Sequence, residues 1–117
     1  MSFDEVRELA LKLPETVEST AYGTPCFRIR KRLFARLRED GSTLVVPVDP
    51  LEREALLADP SGVYFITPHY QDHAYVLVRI EDADPGELWE LLVEAWLERA
   101  PKRLAAAHEA ELLGRDE

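Results

Sequence analysis

Residues 26–39 read CFRIRKRLFARLRE, a segment in which apolar and polar side chains alternate on both sides of a basic cluster. Alternation with a period of two is typical of a β-strand with one buried and one exposed face. The segment therefore predicts a hairpin of two strands, Cys26 to Arg30 and Leu33 to Glu39. Asp40-Gly41 then predicts a second reversal of the chain, because glycine accepts a positive φ without strain.

The elements around this hairpin are short strands and capped helices. A capping box at Ser2 predicts a first helix to about Leu13, and Asp-Pro pairs predict further helix starts after Asp49 and Asp84. The other predicted elements are strands Glu18 to Tyr22, Thr43 to Val48, Val63 to Thr67 and Ala74 to Ile80, and a last helix Lys102 to Leu113. Because the strands cluster, this order of α-β-β-β-β-α-β-β-α-α predicts a single α+β domain over residues 1–117, with an antiparallel-dominated sheet and packed helices.

The hairpin is the most basic part of an acidic chain. It holds six of the 14 lysines and arginines, whereas the whole chain carries a net charge of −9. Subtracting these six leaves eight basic residues against 23 acidic ones, so the rest of the chain carries −15. An acidic protein repels nucleic acid on average, and this average hides a strongly positive hairpin. The six residues are Arg28, Arg30, Lys31, Arg32, Arg36 and Arg38.

The register of the hairpin decides whether these side chains share a face. A two-residue turn at Lys31-Arg32 would place Arg28 opposite Ala35 and divide the basic residues between the two faces. A three-residue loop or a β-bulge would place Arg28 opposite Arg36 and keep them together. We favour the second arrangement because it also aligns the apolar residues.

Two interpretations of the basic hairpin are open. In the first it binds nucleic acid, because a β-ribbon can enter a groove and guanidinium groups bind phosphates through paired hydrogen bonds. Tyr22 and Phe34 would then be available to stack on bases, with at least one of them in the core. In the second it is a solvated edge hairpin, protected from aggregation by its charges. The sequence leaves open whether the arginines are free or neutralised by neighbouring carboxylates.

No catalytic, cofactor or metal motif is evident. The five glycines are isolated, so no phosphate-binding loop is predicted. His69 and His73 are four residues apart but lie in a predicted loop after Pro68, with only Asp72 as a nearby third ligand, and we favour a hydrogen-bonded loop over a zinc site. Cys26 is predicted to be a small buried side chain rather than a nucleophile. We expect a protein that is not an enzyme, without cofactor or metal, while a small-molecule cleft near Cys26 and His69 stays an open alternative.

Composition also restricts location and partners. No apolar run approaches about 18 residues, so no segment is predicted to span a membrane. The single cysteine, Cys26, excludes an intrachain disulfide and favours a reducing compartment. The expected location is the cytoplasm. The candidate partners are DNA or, if the chain is a protein-interaction or chaperone-like module, an acidic protein segment.

Six short segments, in one order along almost the whole chain, together resemble the MmcQ/YjbR family of bacterial proteins. They are Leu13-Pro14-Glu15, Tyr22-Gly23-Thr24-Pro25-Cys26-Phe27-Arg28, Leu33-Phe34-Ala35, Thr67-Pro68-His69-Tyr70, Tyr75-Val76-Leu77-Val78 and Ala100-Pro101-Lys102-Arg103-Leu104. The resemblance implies a compact fold related to that of secretion chaperones. It also implies a proposed DNA-binding role through two hairpin regions, a double wing.

The basic hairpin matches the first wing of the family, and the loop from Pro68 to His73 matches the second. The implied nucleic-acid-binding residues are Arg28, Arg30, Lys31, Arg32, Arg36, Arg38, His69, Tyr70 and His73, with Lys102 and Arg103 as further candidates. The family often has Gly-Lys at the first turn, where this chain has Lys31-Arg32. Without that glycine a positive-φ turn is costlier.

Overall fold

The computed structural model describes residues 1–114 and confirms the predicted α+β fold, with one six-stranded antiparallel sheet and four helices over that range. The helices are α1 (Phe3–Ala10), α2 (Pro50–Leu57), α3 (Pro85–Arg99) and α4 (Lys102–Leu112). The strands are β1 (Thr16–Ala21), β2 (Thr24–Ile29), β3 (Arg32–Leu37), β4 (Thr43–Pro47), β5 (Tyr64–Phe65) and β6 (Tyr75–Arg79).

Three helix starts lie where local chemistry predicts them. Ser2 and Glu5 form the capping box of α1. The carboxylates of Asp49 and Asp84 accept hydrogen bonds from the backbone N–H groups of the first turns of α2 and α3. Each is followed by a proline whose missing N–H would have no partner at a helix start. The first helix ends at Ala10, three residues before the predicted end.

The strand order across the sheet is β1-β2-β3-β4-β6-β5. The order places β1 and β5 at the two edges and the basic hairpin, β2 and β3, beside β1. Strand β5 contains only two residues, because the chain then leaves the sheet and forms a one-turn 3-10 helix at Pro68–Tyr70. Pro47 ends β4 just before α2, as expected for a residue that lacks a backbone donor.

The hairpin register contains the favoured β-bulge, but its pairing differs from the prediction. The two-residue turn is Arg30-Lys31 rather than Lys31-Arg32, since Ile29 pairs with Arg32. Arg28 lies opposite Leu33 and not opposite Arg36; it is Cys26 that pairs with Arg36. The register shifts by one residue at Phe34, which is the extra residue of the bulge and is buried.

The two faces of the sheet differ, and one is covered by helices. On this core face, Phe27 and Phe34 join an apolar cluster that receives side chains from all four helices, for example Val6, Leu56, Leu88 and Leu104. The opposite face is called the outer face below. Across it runs one residue from each strand, in neighbouring register: Ser19, Cys26, Arg36, Val45, Leu77 and Phe65.

Candidate nucleic-acid interface

Arg28 and Arg36 share the outer face despite the unexpected pairing. Arg28 lies two residues from Cys26 on β2, and Cys26 pairs with Arg36, so alternation directs both arginines to the same side. The Nε atom of Arg28 donates a hydrogen bond to Ser19 Oγ at 3.0 Å. Ser19 Oγ lies 3.4 Å from Cys26 Sγ. The prediction that the bulge keeps these two arginines on one face is therefore confirmed.

Arg36 is the centre of the outer face. Its guanidinium donates hydrogen bonds to Thr24 Oγ1 at 3.1 Å, to Glu39 Oε1 at 3.2 Å and to the Tyr70 hydroxyl at 3.3 Å. Burial opposes its charged form, but the hydrogen bonds with Tyr70 and Glu39 hold the pKa of Arg36 above its ordinary value. The Arg36–Tyr70 contact brings together the basic hairpin and the Pro68–His73 loop, which are far apart in sequence.

Tyr22 lies above this guanidinium and is 84% exposed. The Cζ atom of Arg36 is 5.2 Å from the centre of the Tyr22 ring, within the range of a cation–π contact. Phe34, the other aromatic residue that flanks the hairpin, is fully buried in the core. The expectation that at least one of the two is a core residue is confirmed, and only Tyr22 has a ring available to a ligand.

Arg53 of α2 holds the Pro68–His73 loop in place. Its guanidinium donates hydrogen bonds to the backbone carbonyls of Gln71 at 2.8 Å and Tyr70 at 3.3 Å, and also to those of His73 and Tyr75. One planar cation thus donates to four carbonyl groups of this loop and of the strand that follows it. Two of these carbonyls also accept backbone bonds, Tyr70 from the His73 N–H and His73 from the Tyr75 N–H. Sequence reasoning missed Arg53, since an arginine in a short amphipathic helix carries no signal of this contact.

The two histidines of this loop, His69 and His73, differ in their ring contacts. The rings of His69 and Tyr70 meet edge to face, with centroids 4.8 Å apart, and the His69 and His73 centroids are 6.4 Å apart. Both histidines are exposed. Within residues 1–114, no cluster of three or more His, Cys, Asp or Glu side chains is arranged to hold a metal ion.

The remaining cations of the hairpin are largely engaged within the protein. Arg30 forms an ion pair with Glu15 at 2.7 Å, and this hydrogen bond lowers the pKa of Glu15 and raises that of Arg30. Arg32 donates to the carbonyl of Arg99, at the end of α3, at 2.9 Å. Among the described residues, no side-chain partner of Lys31 is found, and its side chain projects from the turn.

Arg38 follows Arg36 by two residues on the same face, and the backbone N–H of Arg38 donates to the Thr43 carbonyl at 2.8 Å. A hydrogen bond from the backbone N–H of Glu39 itself is the main cause that lowers the pKa of Glu39, and the charge of Arg38 makes the smallest contribution. Burial opposes the lowering of the pKa of Asp40, hydrogen bonds with Ser42 and Thr43 outweigh it, and Arg38 again contributes least. Arg79 on β6 is a fourth arginine of the outer face, 4.2 Å from the centre of the Phe65 ring, and sequence reasoning missed it. The residues next to Arg79 in the sequence do not relate it to the hairpin. Only the strand order, with β4 between β3 and β6, brings Arg79 to the same face.

Lys102 and Arg103 are not part of this surface. They lie in the first turn of α4, which packs on α3 through contacts such as that between Trp96 and His108. Since α3 covers the core face, α4 is on the other side of the sheet from Arg36.

Two clefts are found beside α2, and neither is lined by Cys26 or His69. The first, of about 330 Å³, lies between the start of α2 and the helix α3, and includes Leu91 and Glu94. The second, of about 450 Å³, is lined by residues of α2 and by Gln71–Ala74. Cys26 is fully buried, as predicted. These clefts give no support to a small-molecule site near Cys26 and His69.

A family model described as YjbR matches residues 11–98, a range that contains every strand and most of α3. The chain belongs to the YjbR family. The family model therefore includes both segments that meet at Arg36, the hairpin and the Pro68–His73 loop.

Relatives of this YjbR-family chain include the uncharacterised proteins Rv2570 of Mycobacterium tuberculosis and Mb2600 of Mycobacterium bovis. Each is 51% identical over 53 residues, which is 45% of this chain and 41% of the relative. The match thus spans less than half of the length of these curated relatives. A crystal structure of the Deinococcus radiodurans protein DR2400, with a domain of the DUF419 family model, superimposes with a TM-score of 0.73 at 23% identity. The superposition covers 95% of this chain and 87% of that protein, and shows a common fold.

In the YjbR-family chain, none of the helices within residues 1–114 has the length and apolar character needed to cross a membrane.

Proposed function

We propose that this YjbR-family chain is a cytoplasmic, non-enzymatic nucleic-acid-binding protein whose binding surface is the outer face of the sheet around Arg36. The observation that carries the proposal is the arrangement of cations on this face. Arg28 on β2, Arg36 on β3 and Arg38 just after β3 lie along this face, and Arg79 on β6 lies on it as well. A polyanion would approach here, because the rest of the chain repels it.

The expected affinity follows from how few of these cations are free. Arg36 is engaged by Glu39 and Tyr70, whereas Arg28 keeps donors beyond its bonds to Ser19 and the Lys31 carbonyl. With Arg38 and Lys31, this leaves roughly two to four phosphate contacts. The logarithm of the binding constant should therefore fall with the logarithm of salt concentration, with a slope of roughly −1.8 to −3.6 for duplex DNA and −1.4 to −2.8 for a single strand. Such binding is weak and is best detected at low salt.

The test is fluorescence anisotropy of labelled single-stranded and duplex DNA at low and near-physiological salt. The informative variant is Arg28→Glu with Arg38→Glu, which reverses two outer-face charges. The matched control is Lys12→Glu with Lys102→Glu, which changes the net charge equally but alters exposed residues away from the outer face.

We expect salt-sensitive binding by the unchanged chain and the control, and at least tenfold weaker binding by the outer-face variant. Equal loss in both double variants would mean that net charge alone governs binding, and would overturn the outer face as the site. No binding at low salt would exclude nucleic acid as the partner.

The second candidate function is docking of a protein segment, and edge strand β1 favours it. Val17 on this strand is 60% exposed, and Thr16–Ala21 contains neither proline nor lysine to block pairing. An extended acidic segment could add to this edge while its carboxylates meet Arg28, which pairs with Val17. A labelled peptide of alternating valine and glutamate tests this. Binding that persists at near-physiological salt, and is lost in Val17→Asp, would favour protein docking over nucleic acid.

A further inference from the structure

We propose that Tyr22 and Arg36 form a stacking platform for an unpaired nucleobase, so that the outer face selects single-stranded over duplex nucleic acid. The inference rests on the proposed function and names its ligand class. It concerns the β1–β2 turn, which is neither of the two wings implied by the sequence.

The backbone of this turn is strained in a way that presents the Tyr22 ring. Ala21 pairs with Thr24, so Tyr22 and Gly23 form a two-residue turn with φ values of 55° and 81°. Glycine adopts such values freely, but a bulky residue does so at a cost. Tyr22 is the one aromatic residue among the four positive-φ non-glycine residues of the described chain. Strain of this kind is found where surrounding structure and function require it.

The ring has one supported face and one free face. The Arg36 guanidinium lies 5.2 Å from its centre, and the residue as a whole is 84% exposed. The guanidinium is in turn fixed by Thr24, Glu39 and Tyr70. The side chain is therefore preorganised, and a planar ligand that stacks on the free face loses little additional conformational freedom.

A nucleobase suits this platform because a phosphate-binding cation lies further along the same face, about 13 Å away along β2. Thr24 pairs with Ala21 and so closes the turn that contains Tyr22. Arg28 lies four residues after Thr24 on the same face of β2. Single strands bind other proteins in this manner, with bases stacked on aromatic side chains of an exposed sheet and phosphates on arginines.

The same geometry disfavours a duplex. A hairpin that enters a groove needs several free cations at its tip, but here Arg30 is paired with Glu15 and Arg32 with the Arg99 carbonyl, which leaves Lys31. In a duplex the bases are already stacked on one another and cannot reach Tyr22. The duplex would therefore gain only the phosphate contacts of Arg28, Arg38 and Lys31.

The experiment compares four labelled probes: a single-stranded oligonucleotide, its duplex, the same strand with abasic sites, and a mononucleotide. The abasic strand matches the single strand in length and charge. Each is titrated against the unchanged chain, Tyr22→Ala, Tyr22→Trp and the double variant Arg28→Glu with Arg38→Glu. The exposed position of Tyr22 makes these substitutions compatible with folding, which circular dichroism checks.

We expect the single strand to bind more tightly than the duplex and the abasic strand. Tyr22→Ala should weaken single-strand binding roughly 5- to 150-fold, while changing duplex binding less than about twofold. The salt slope should not change, because no phosphate contact is removed. Tyr22→Trp should restore binding, and the fluorescence of the new tryptophan should be quenched when a base stacks on it.

The outcomes separate this inference from the proposed function. If duplex and single strand bind equally and Tyr22→Ala has no effect, the platform is wrong, although polyanion binding at the outer face survives. An abasic strand that binds as tightly as the normal strand overturns the platform as well. A mononucleotide that binds as tightly as the strand would assign the platform to a free nucleotide and overturn strand selection. If no probe binds at low salt, both proposals are wrong.

Discussion

The hydroxyl of Tyr70 accepts a hydrogen bond from the Arg36 guanidinium at 3.3 Å, across 34 residues of sequence. This contact fixes the Pro68–His73 loop to strand β3. The two segments that resemble separate wings in the sequence are therefore parts of one surface. Their contact also means that a change in one segment should be measurable in the other.

The first prediction concerns this contact. Tyr70→Phe removes the hydroxyl but keeps the ring, which packs edge to face on Tyr75. We expect the free energy of unfolding to fall by about 1 kcal/mol, because one hydrogen bond to a charged donor is lost while Arg36 keeps other acceptors. Urea denaturation measures it. Tyr75→Phe is the matched control, since its hydroxyl makes no hydrogen bond among the described residues, and an equal loss in both variants would contradict the prediction.

The second prediction concerns Arg53. Arg53→Lys should lower the free energy of unfolding by about 1.5–3 kcal/mol, because an ammonium cannot reach the carbonyl groups of Tyr70, Gln71, His73 and Tyr75 together. Hydrogen exchange should accelerate selectively in residues 69–75, while β2 and β3 stay protected. The matched control is Arg79→Lys, which changes an arginine with one backbone acceptor, the Gly62 carbonyl at 3.1 Å. Uniformly faster exchange in Arg53→Lys would contradict a local role.

The third prediction concerns the hairpin turn. Arg30 and Lys31 have φ values of 50° and 71°, which non-glycine residues adopt at a cost. Lys31→Gly should therefore raise the free energy of unfolding, by up to about 1 kcal/mol, as the relief of strain exceeds the entropy cost of glycine. Arg30→Gly should gain less because it also removes the ion pair with Glu15. Chemical denaturation of both variants checks this order, and the reverse order would show that the ion pair is unimportant and the strain is at Arg30.

The fourth prediction concerns pH. Asp40 accepts hydrogen bonds from the Ser42 and Thr43 N–H groups at 2.9 and 3.0 Å and from the Thr43 hydroxyl at 2.8 Å. Burial opposes the charged carboxylate, but these bonds outweigh it and lower the pKa of Asp40 below 3.8, its ordinary value. The stabilisation is thus complete well above pH 4 and is lost as the pH falls through the lowered pKa of the folded protein.

Thr43→Val should make this acid-dependent loss of stability shallower, because one of the three hydrogen bonds to the carboxylate disappears. The check is a series of thermal or urea unfolding curves between about pH 2 and pH 6. A pH dependence identical to that of the unchanged chain would show that the Thr43 hydroxyl does not contribute to the low pKa of Asp40.

The sequence predicted the fold well because its signals are local. The caps at Asp49 and Asp84 and the alternation in residues 26–39 depend only on neighbours in the chain, and all three gave the observed elements. Strand β5 was predicted too long, over Val63 to Thr67. Its end depends on a tertiary contact, since the chain must leave the sheet edge for Tyr70 to reach Arg36.

The candidate site was less predictable because its chemistry depends on distant partners. The sequence marks the arginines, but it does not show that Glu15 pairs with Arg30 or that the end of α3 accepts a bond from Arg32. These contacts divide one basic cluster into engaged and available cations. Arg53 acts over about 20 residues of sequence on carbonyl groups, which no side-chain pattern encodes.

The extra residue of the bulge, Phe34, decides which face of the sheet Arg36 occupies. In a regular ladder with the same turn, Arg36 would lie opposite Pro25 and face the helices, whereas the extra residue returns it to the side of Cys26. Deletion of Phe34 alone would keep the pairing of Cys26 with Arg36, at the cost of core volume. An insertion between Ala35 and Arg36 would turn the arginine inward unless it formed a second bulge. A change of one residue in β3 between the turn and Arg36 therefore keeps Arg36 on the outer face only where it removes the bulge or forms another one.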